Sequence, residues 1–181
     1  MRITKGLCVV ICMIVCVNSF AQKPKPSGGI SVAGNAGIPI GTNNEAFEPT
    51  IGLDLKWLAS VSKSVQIGGT IGYSRIKGKG SLGEVNPFNV AFTTRWYPIE
   101  LISRLSGMES NGSPMYLEAS LGHSFGNNLD DKLLNNGAIK IGYLFNSGLD
   151  IAVSPWTMYA TRFNSVDYTV KFAQLSIGYK F

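Results

Sequence analysis

Apolar and polar residues alternate along most of this chain, and the pattern is clearest in its last nine positions. Ala173, Leu175, Ile177, Tyr179 and Phe181 share one face of an extended segment, and the residues between them are Gln, Ser, Gly and Lys. Side chains of a strand point alternately to opposite faces, so this period of two predicts a strand with one apolar face. The apolar face continues to the last residue, where a water-soluble domain more often frays into polar residues.

The same alternation recurs in seven earlier segments separated by turn-forming residues. We predict eight strands, at residues 30–38, 50–57, 65–74, 88–96, 115–122, 138–145, 149–159 and from near 168 to 181. Pro155 cannot donate a backbone hydrogen bond, so we expect a bulge or weak pairing in the seventh strand. Val170 and Phe172 fall out of phase with Ala173 and the residues after it, which predicts a bulge in the eighth.

The composition of the two faces separates two kinds of eight-stranded barrel. The polar face is built mainly from Gly, Ser, Thr, Asn and Ala, which fit a narrow interior, whereas the other carries large aliphatic residues. Aromatic residues on the apolar face lie mostly near strand ends, as in the girdles of membrane barrels. We therefore predict an all-β fold, an eight-stranded antiparallel up-and-down transmembrane β-barrel over residues 30–181. A soluble, lipocalin-like ligand-binding barrel is the alternative. The predicted aromatic girdle consists of Trp57, Tyr73, Trp96, Tyr143, Phe145 and Tyr159.

Seven charged residues fall on the polar, inward face of the predicted strands. Buried charges persist only when they are paired, so we predict a salt-bridge network that plugs the lumen. The alternative is that some of them lie at strand ends in water, where ion pairs contribute little. The seven residues are Asp54, Lys56, Arg95, Glu118, Lys140, Asp150 and Lys180.

The first 21 residues have the features of a cleaved secretory signal. Arg2 and Lys5 supply positive charge, residues 7–17 form an apolar stretch, and Ser19 and Ala21 are the small residues of a cleavage site. The stretch is shorter than the roughly 20 residues of a membrane-spanning helix, although a retained anchor helix is the alternative. Residues 22–29 are then a polar spacer rich in Pro and Gly.

Cleavage at this site changes the chemistry available to the chain. All three cysteines precede residue 21, so a mature chain has no disulfide, thiol nucleophile or thiolate metal site. Its formal charge falls from +5 to +3 with the loss of Arg2 and Lys5. We find no basic stripe interleaved with aromatic residues and therefore expect no nucleic-acid partner.

The last strand resembles the C-terminal signature of bacterial outer-membrane β-barrels, with Leu175, Ile177, Tyr179 and Phe181 as the matching residues. In that family the final strand closes the barrel and is read by the barrel-assembly machinery. Residues 95–98 (Arg-Trp-Tyr-Pro) also resemble segments of such barrels from Bacteroidetes-type bacteria. The chain is thus similar to small OmpA/OmpX-like barrels. This resemblance implies location in the bacterial outer membrane, in contact with its lipids and lipopolysaccharide.

The resemblance also implies that both ends of the barrel domain lie in the periplasm. The outer connections would then be 39–49, 77–86, 126–137 and 161–167, and the inner ones 59–64, 97–114 and 146–148. The 97–114 connection is long for the inner side. Either it holds a short amphipathic helix at 99–105, lying on the membrane surface, or the barrel has the reverse orientation.

Candidate catalytic and metal-binding residues are few. His123 and Ser124 invite comparison with lipid A deacylases, but adjacent strand residues point to opposite faces and cannot readily form a nucleophile–base pair. One histidine and the acidic pair Asp130-Asp131 do not make a metal-ligand set, so we expect no metal and no cofactor. We predict a non-enzymatic outer-membrane protein whose loops serve envelope structure, adhesion or defence, with an unidentified extracellular partner. A lipid A-modifying hydrolase is the alternative.

Overall fold

The computed structural model describes residues 28–41, 44–99, 114–126, 135–163 and 166–181. Within these ranges the backbone forms nine β-strands and a 3₁₀ helix, and no helix there is long and apolar enough to cross a bilayer. The predicted signal segment and spacer up to residue 27, and the candidate helix from residue 100 onward, lie outside the described residues. The elements are β1 (Gly29–Ile40), the 3₁₀ helix (Asn44–Ala46), β2 (Thr50–Ser60), β3 (Val65–Lys77), β4 (Glu84–Val85), β5 (Phe88–Trp96), β6 (Met115–Phe125), β7 (Asn136–Leu144), β8 (Leu149–Phe163) and β9 (Val166–Lys180).

Eight long strands close into an antiparallel barrel, and the two-residue β4 pairs with the end of β3. The order is β2-β1-β9-β8-β7-β6-β5-β3, and pairing of β2 with β3 completes the circle. β1 and β9 pair in unbroken register from Ser31–Lys180 to Ile40–Lys171. The predicted eight-stranded up-and-down barrel is therefore confirmed, with strand positions close to those expected from the alternation.

The outer surface of the barrel is apolar from strand to strand. Leu53, Phe92 and Ile177 are 61%, 60% and 52% exposed, and their neighbours in sequence face the interior. Water-soluble proteins rarely expose continuous apolar patches of more than a few hundred Å². A band of this kind is instead what a barrel presents to lipid hydrocarbon, and the fold is that of a transmembrane barrel.

We call the end of the barrel that carries Gly29 and Phe181 the terminal end, and the opposite end the loop end. Because consecutive strands run in opposite directions, the connections alternate between these two ends. The 97–114 connection lies at the terminal end, since Trp96 pairs with Val65 and Leu117 beside it.

Strand β8 contains one residue more than the segments of β7 and β9 with which it pairs. Its register with β9 passes from Ser154–Gln174 to Thr157–Phe172, so two residues of β8 stand opposite one of β9. A matching shift occurs against β7. Pro155, which has no N–H to donate, lies within this bulge, and the bulge predicted there is confirmed.

The bulge predicted in the last strand is wrong. Strand β9 alternates without interruption, and Val170, Phe172, Gln174 and Ser176 all face the interior. The two apolar residues looked out of phase only because the whole interior was expected to be polar. At the loop end part of the interior is apolar, beside buried polar residues such as Ser124 and Thr161.

An apolar cluster fills the interior at the loop end. Phe47, from the connection between β1 and β2, is fully buried there. Its segment is held by a bridge to Gly78 and by a 2.8 Å hydrogen bond from the Glu48 N–H to the Lys77 carbonyl. The connection therefore covers the barrel end. The cluster consists of Phe47, Ile76, Val85, Tyr159, Val170 and Phe172.

Removing the Phe47 ring should destabilise the barrel strongly. Phe47→Ala leaves a cavity in a packed cluster, and we expect a loss of about 3–5 kcal/mol in the free energy of unfolding. Urea unfolding in lipid vesicles measures this loss. The matched control Phe92→Ala removes a ring that faces outward, and its cost should be clearly smaller. Equal costs for the two variants would contradict the buried position of Phe47.

The hydroxyl of Ser154 compensates for the disrupted pairing at the bulge. It lies 2.7 Å from the Ile139 carbonyl and 2.9 Å from that of Trp156, and it also contacts the Thr157 hydroxyl at 2.8 Å. Buried carbonyls without a donor are costly. We expect Ser154→Ala to reduce the free energy of unfolding by about 1–3 kcal/mol. The control Ser120→Ala, at an inward position of β6 with partial exposure, should change it little, and the opposite ranking would refute this role.

Candidate functional site

The candidate functional site is the closed interior of the barrel. In the half nearest the terminal end, the charged side chains are arranged around Glu118. One carboxylate oxygen of Glu118 lies 2.5 Å from the Lys56 Nζ. The other accepts hydrogen bonds from Arg95 Nε at 2.9 Å and Arg95 Nη2 at 2.8 Å. Arg95 Nη2 also lies 3.0 Å from Asp150 Oδ2. The register explains part of this cluster, because Arg95 and Glu118 are directly opposite each other on β5 and β6.

Two tyrosines complete the cluster on the side of the terminal end. The ring of Tyr116 lies under the Arg95 guanidinium, with 3.7 Å from Cζ to the ring centroid, and its hydroxyl donates to Asp150. The Tyr97 ring packs edge-on against the Tyr116 ring, and the Tyr97 hydroxyl donates a hydrogen bond to Gln66 at 3.4 Å. Tyr116 was absent from the predicted site. It could have been found as a large inward side chain two residues before Glu118.

A second ion pair crosses the interior nearer its middle. Lys140 Nζ on β7 lies 3.3 Å from Asp54 Oδ2 on β2 and 3.3 Å from the Ser176 hydroxyl. Together with the Glu118 cluster this brings three cations and three anions into one buried, neutral network. Lys180, the remaining predicted charge, lies half-buried beside Gly29 at the terminal end.

A small cavity separates the ion pairs from the apolar cluster. Its volume is about 40 Å³, and polar side chains including Asn35, Thr70, Asn89 and Gln174 line it. A space of this size and polarity holds on the order of three water molecules. Sites for small organic ligands are typically about 300–1,000 Å³, so this cavity suits water.

On the loop-end side of the cavity, hydroxyl and amide groups that face the interior form a continuous hydrogen-bonded chain. Tyr159 contacts the Ser74 hydroxyl at 3.0 Å, and Asn89 Nδ2 donates to the same hydroxyl at 3.1 Å. The Ser124 hydroxyl donates to Asn89 Oδ1 and accepts from Asn136 Nδ2 at 2.8 Å. Ser124 is thus a fully buried structural hydroxyl whose partners are amides.

His123 lies on the other side of the barrel wall from Ser124. Its neighbours on β6, Gly122 and Ser124, are buried, whereas His123 faces outward and packs against Phe125 with 4.5 Å between ring centroids. The geometry therefore does not bring a base to the Ser124 hydroxyl. Asp130 and Asp131, considered as metal ligands, lie outside the described residues, as do Ser19 and Ala21 of the predicted cleavage site.

Most of the predicted girdle lies on the outer surface. Trp57, Tyr73 and Trp96 are 59%, 51% and 39% exposed, and Tyr143 faces outward with partial exposure. Phe88 and Phe125 extend the ring at the loop end, because they pair in register beside Tyr73. Both were missed, although they obey the same alternation.

Two residues of the predicted girdle are placed elsewhere. Tyr159 is inside the barrel, because the extra residue of β8 reverses the alternation between Ser154 and Thr157. Its assignment to the outer face is wrong. Phe145 follows the end of β7 and is buried against Tyr143, with 4.6 Å between ring centroids, so it does not present its ring to lipid.

The outward face of β9 carries three residues of the suggested assembly signal, and the fourth, Phe181, directly follows the strand. All four are exposed, from 46% to 76%, and β9 itself is paired on both sides. Their recognition by an assembly machinery stays a prediction. They are Leu175, Ile177, Tyr179 and Phe181.

Removal of the Glu118 charge should be the most damaging single change in the network. Glu118→Gln leaves Lys56 and Arg95 buried without their shared partner, and we expect about 3–5 kcal/mol lower stability in urea unfolding. The control Glu84→Gln breaks a 2.6 Å ion pair with Arg75 that is exposed to solvent, and it should cause no measurable change. A Glu118→Gln barrel as stable as the unmodified protein would contradict the buried network.

Comparison with known proteins identifies similar folds and no family. No family model and no curated protein matches the chain. Among solved structures, a de novo designed transmembrane β-barrel is 15% identical over 90% of this chain and 100% of its own, with a TM-score of 0.46. Neisserial surface protein A is 11% identical over 85% and 97%, with a TM-score of 0.46. The Yersinia pestis outer membrane protein Ail is 15% identical over 84% and 99%, with a TM-score of 0.42.

Proposed function

We propose that the chain is a non-enzymatic integral protein of the bacterial outer membrane, with a sealed lumen and with loops that serve envelope structure, adhesion or defence. The observation that carries the proposal is the contrast across the barrel wall. The outer face of the wall is an apolar band with aromatic residues toward its edges. The inner face encloses a packed interior whose buried charged side chains neutralise one another. Such a wall suits a membrane anchor for the loops.

The outer-membrane location rests on physical chemistry and on the sequence. Closed antiparallel barrels with an apolar outer band are the form in which strands cross bacterial outer membranes. The predicted signal segment and the terminal strand, which resembles that of OmpA/OmpX-like barrels, support the same destination. In the proposed orientation the terminal end faces the periplasm and the loop end faces the exterior.

The sealed lumen is supported at two levels of the barrel. In the terminal half, Arg95 on β5 contacts both Glu118 on β6 and Asp150 on β8, and the Tyr116 hydroxyl on β6 also donates to Asp150. At the loop end, Phe47 and its cluster form a buried apolar layer. A solute would have to break buried ion pairs and then cross an apolar layer, so the interior is a poor diffusion path.

The proposal of a non-enzymatic protein is supported by the surroundings of Ser124. A nucleophilic serine needs a base within hydrogen-bond reach, and a third group that orients this base. Ser124 instead contacts Asn89 and Asn136, and His123 lies on the lipid side. Mass spectrometry of lipid A from cells with and without the protein should show identical species.

Planar-bilayer recording tests the sealed lumen. The folded full chain should give no large, stable channels, because ions cannot pass the charge network and the apolar cluster together. Heat-modifiable migration of the same preparation on a gel is the control for a folded barrel. Stable channels of uniform conductance from heat-modifiable protein would overturn the proposal.

A further inference from the structure

We propose that the outer surface of the barrel carries a binding site for an anionic acyl lipid, formed by a groove on strands β1, β2, β8 and β9 and by Lys171. The inference rests on the proposed membrane location and adds a particular lipid class at a particular place. It concerns the lipid-facing side of the wall and is independent of the sealed interior.

The groove is a depression in the otherwise regular apolar band. Its floor contains two small outward residues, Ala36 and Ala173, and its volume is about 390 Å³. Large aliphatic side chains stand around this floor, and each is roughly half exposed or more. They are Ile38, Ile51, Val153 and Leu175.

The register shows why the depression forms here. Ala36 lies opposite Leu175 on β9 and opposite Ile51 on β2, and Ile38 lies opposite Ala173. Small side chains therefore alternate diagonally with large ones across the β1–β9 pair. Next to Ala173, the bulge in the neighbouring strand β8 interrupts the regular pairing of β8 with β9. A groove of this volume and lining accommodates part of an alkyl chain.

A cation stands at the loop-end side of the groove. Lys171 is exposed on the outward face of β9, two residues from Ala173, which corresponds to about 7 Å along a strand. Among the residues that the structure describes, no carboxylate lies within salt-bridge distance of it. Its ammonium is therefore available to a negatively charged headgroup whose chain lies in the groove.

Two other cations beside the groove, among the residues that the structure describes, are held in ion pairs. Arg75, beside Ile51, is paired with Glu84 at 2.6 Å, and Lys77 is paired with Glu48 at 3.2 Å. Lys171, in contrast, has no carboxylate partner among the described residues and can pair with a negatively charged headgroup. A groove without a cation would suit any acyl lipid, whereas this arrangement favours a lipid with net negative charge.

Native mass spectrometry of the full chain, released from detergent, tests the site. The heat-modifiable protein is incubated with equal amounts of phosphatidylglycerol and phosphatidylcholine that carry identical acyl chains. We expect one retained lipid, with phosphatidylglycerol preferred about fivefold, as for one basic residue near a lipid headgroup. Equal retention of the two lipids, or retention of neither, would overturn the proposal.

Variants separate the two parts of the site. Ala173→Leu fills the groove and should reduce retention of both lipids several-fold, whereas Ala119→Leu, an outward alanine on the far strand β6, should not. Lys171→Gln should lower retention of phosphatidylglycerol to that of phosphatidylcholine and leave retention of phosphatidylcholine unchanged, and Lys171→Arg should restore the preference. The control Lys63→Gln, in the β2–β3 turn at the terminal end, should behave as the unmodified protein.

Two results would reject the site while leaving the sealed barrel intact. One is equal behaviour of Ala173→Leu and Ala119→Leu, and the other is an unchanged lipid preference in Lys171→Gln. Because every variant is first shown to be heat-modifiable, failure of the lipid site is distinct from failure of the barrel to fold. The conductance measurement does not depend on the groove.

Discussion

The structure depends on one constraint: each residue of a closed antiparallel sheet faces either the interior or the surroundings, and a shift of one residue exchanges the two. Leu117 faces outward and Glu118 inward on this basis alone. Outside, hydrocarbon offers no partner to a polar group. Inside, an eight-stranded barrel has room only for side chains, so the interior must be filled and its polar groups paired.

The interior meets this requirement differently along its length. Three cations and three anions neutralise one another in the terminal half and middle, whereas apolar rings and aliphatic chains close the loop end. Buried ion pairs contribute little net stability relative to apolar packing, yet removing one partner is costly. The network therefore fixes which side chains occupy the lumen, and the apolar cluster adds stability where Phe47 and the β8–β9 hairpin meet.

Alternation in the sequence predicted the strands, the two faces and six charges that meet inside, because a period of two is a local property. The prediction failed where the pairing between strands determines whether a residue faces inward or outward. Pro155 indicated a bulge, but only the register of β8 against β7 and β9 shows that one extra residue turns Tyr159 inward. The role of Phe47 was also beyond the sequence, since it depends on a connection folding across the barrel end. The misplaced bulge in β9 came from treating the interior as uniformly polar.

Site-directed spin labelling along β8 tests the account most directly, since the chain after residue 21 has no cysteine to remove. Single cysteines from 149 to 161 are labelled in lipid vesicles, and collision with oxygen, which concentrates in hydrocarbon, is measured for each position. We expect high oxygen accessibility at Ile151 and Val153, low accessibility at Asp150 and Ala152, and a one-residue change of phase across 154–157. High accessibility at Met158 and low accessibility at Tyr159 should follow. Uninterrupted alternation through Tyr159, or uniformly low oxygen accessibility, would contradict the account.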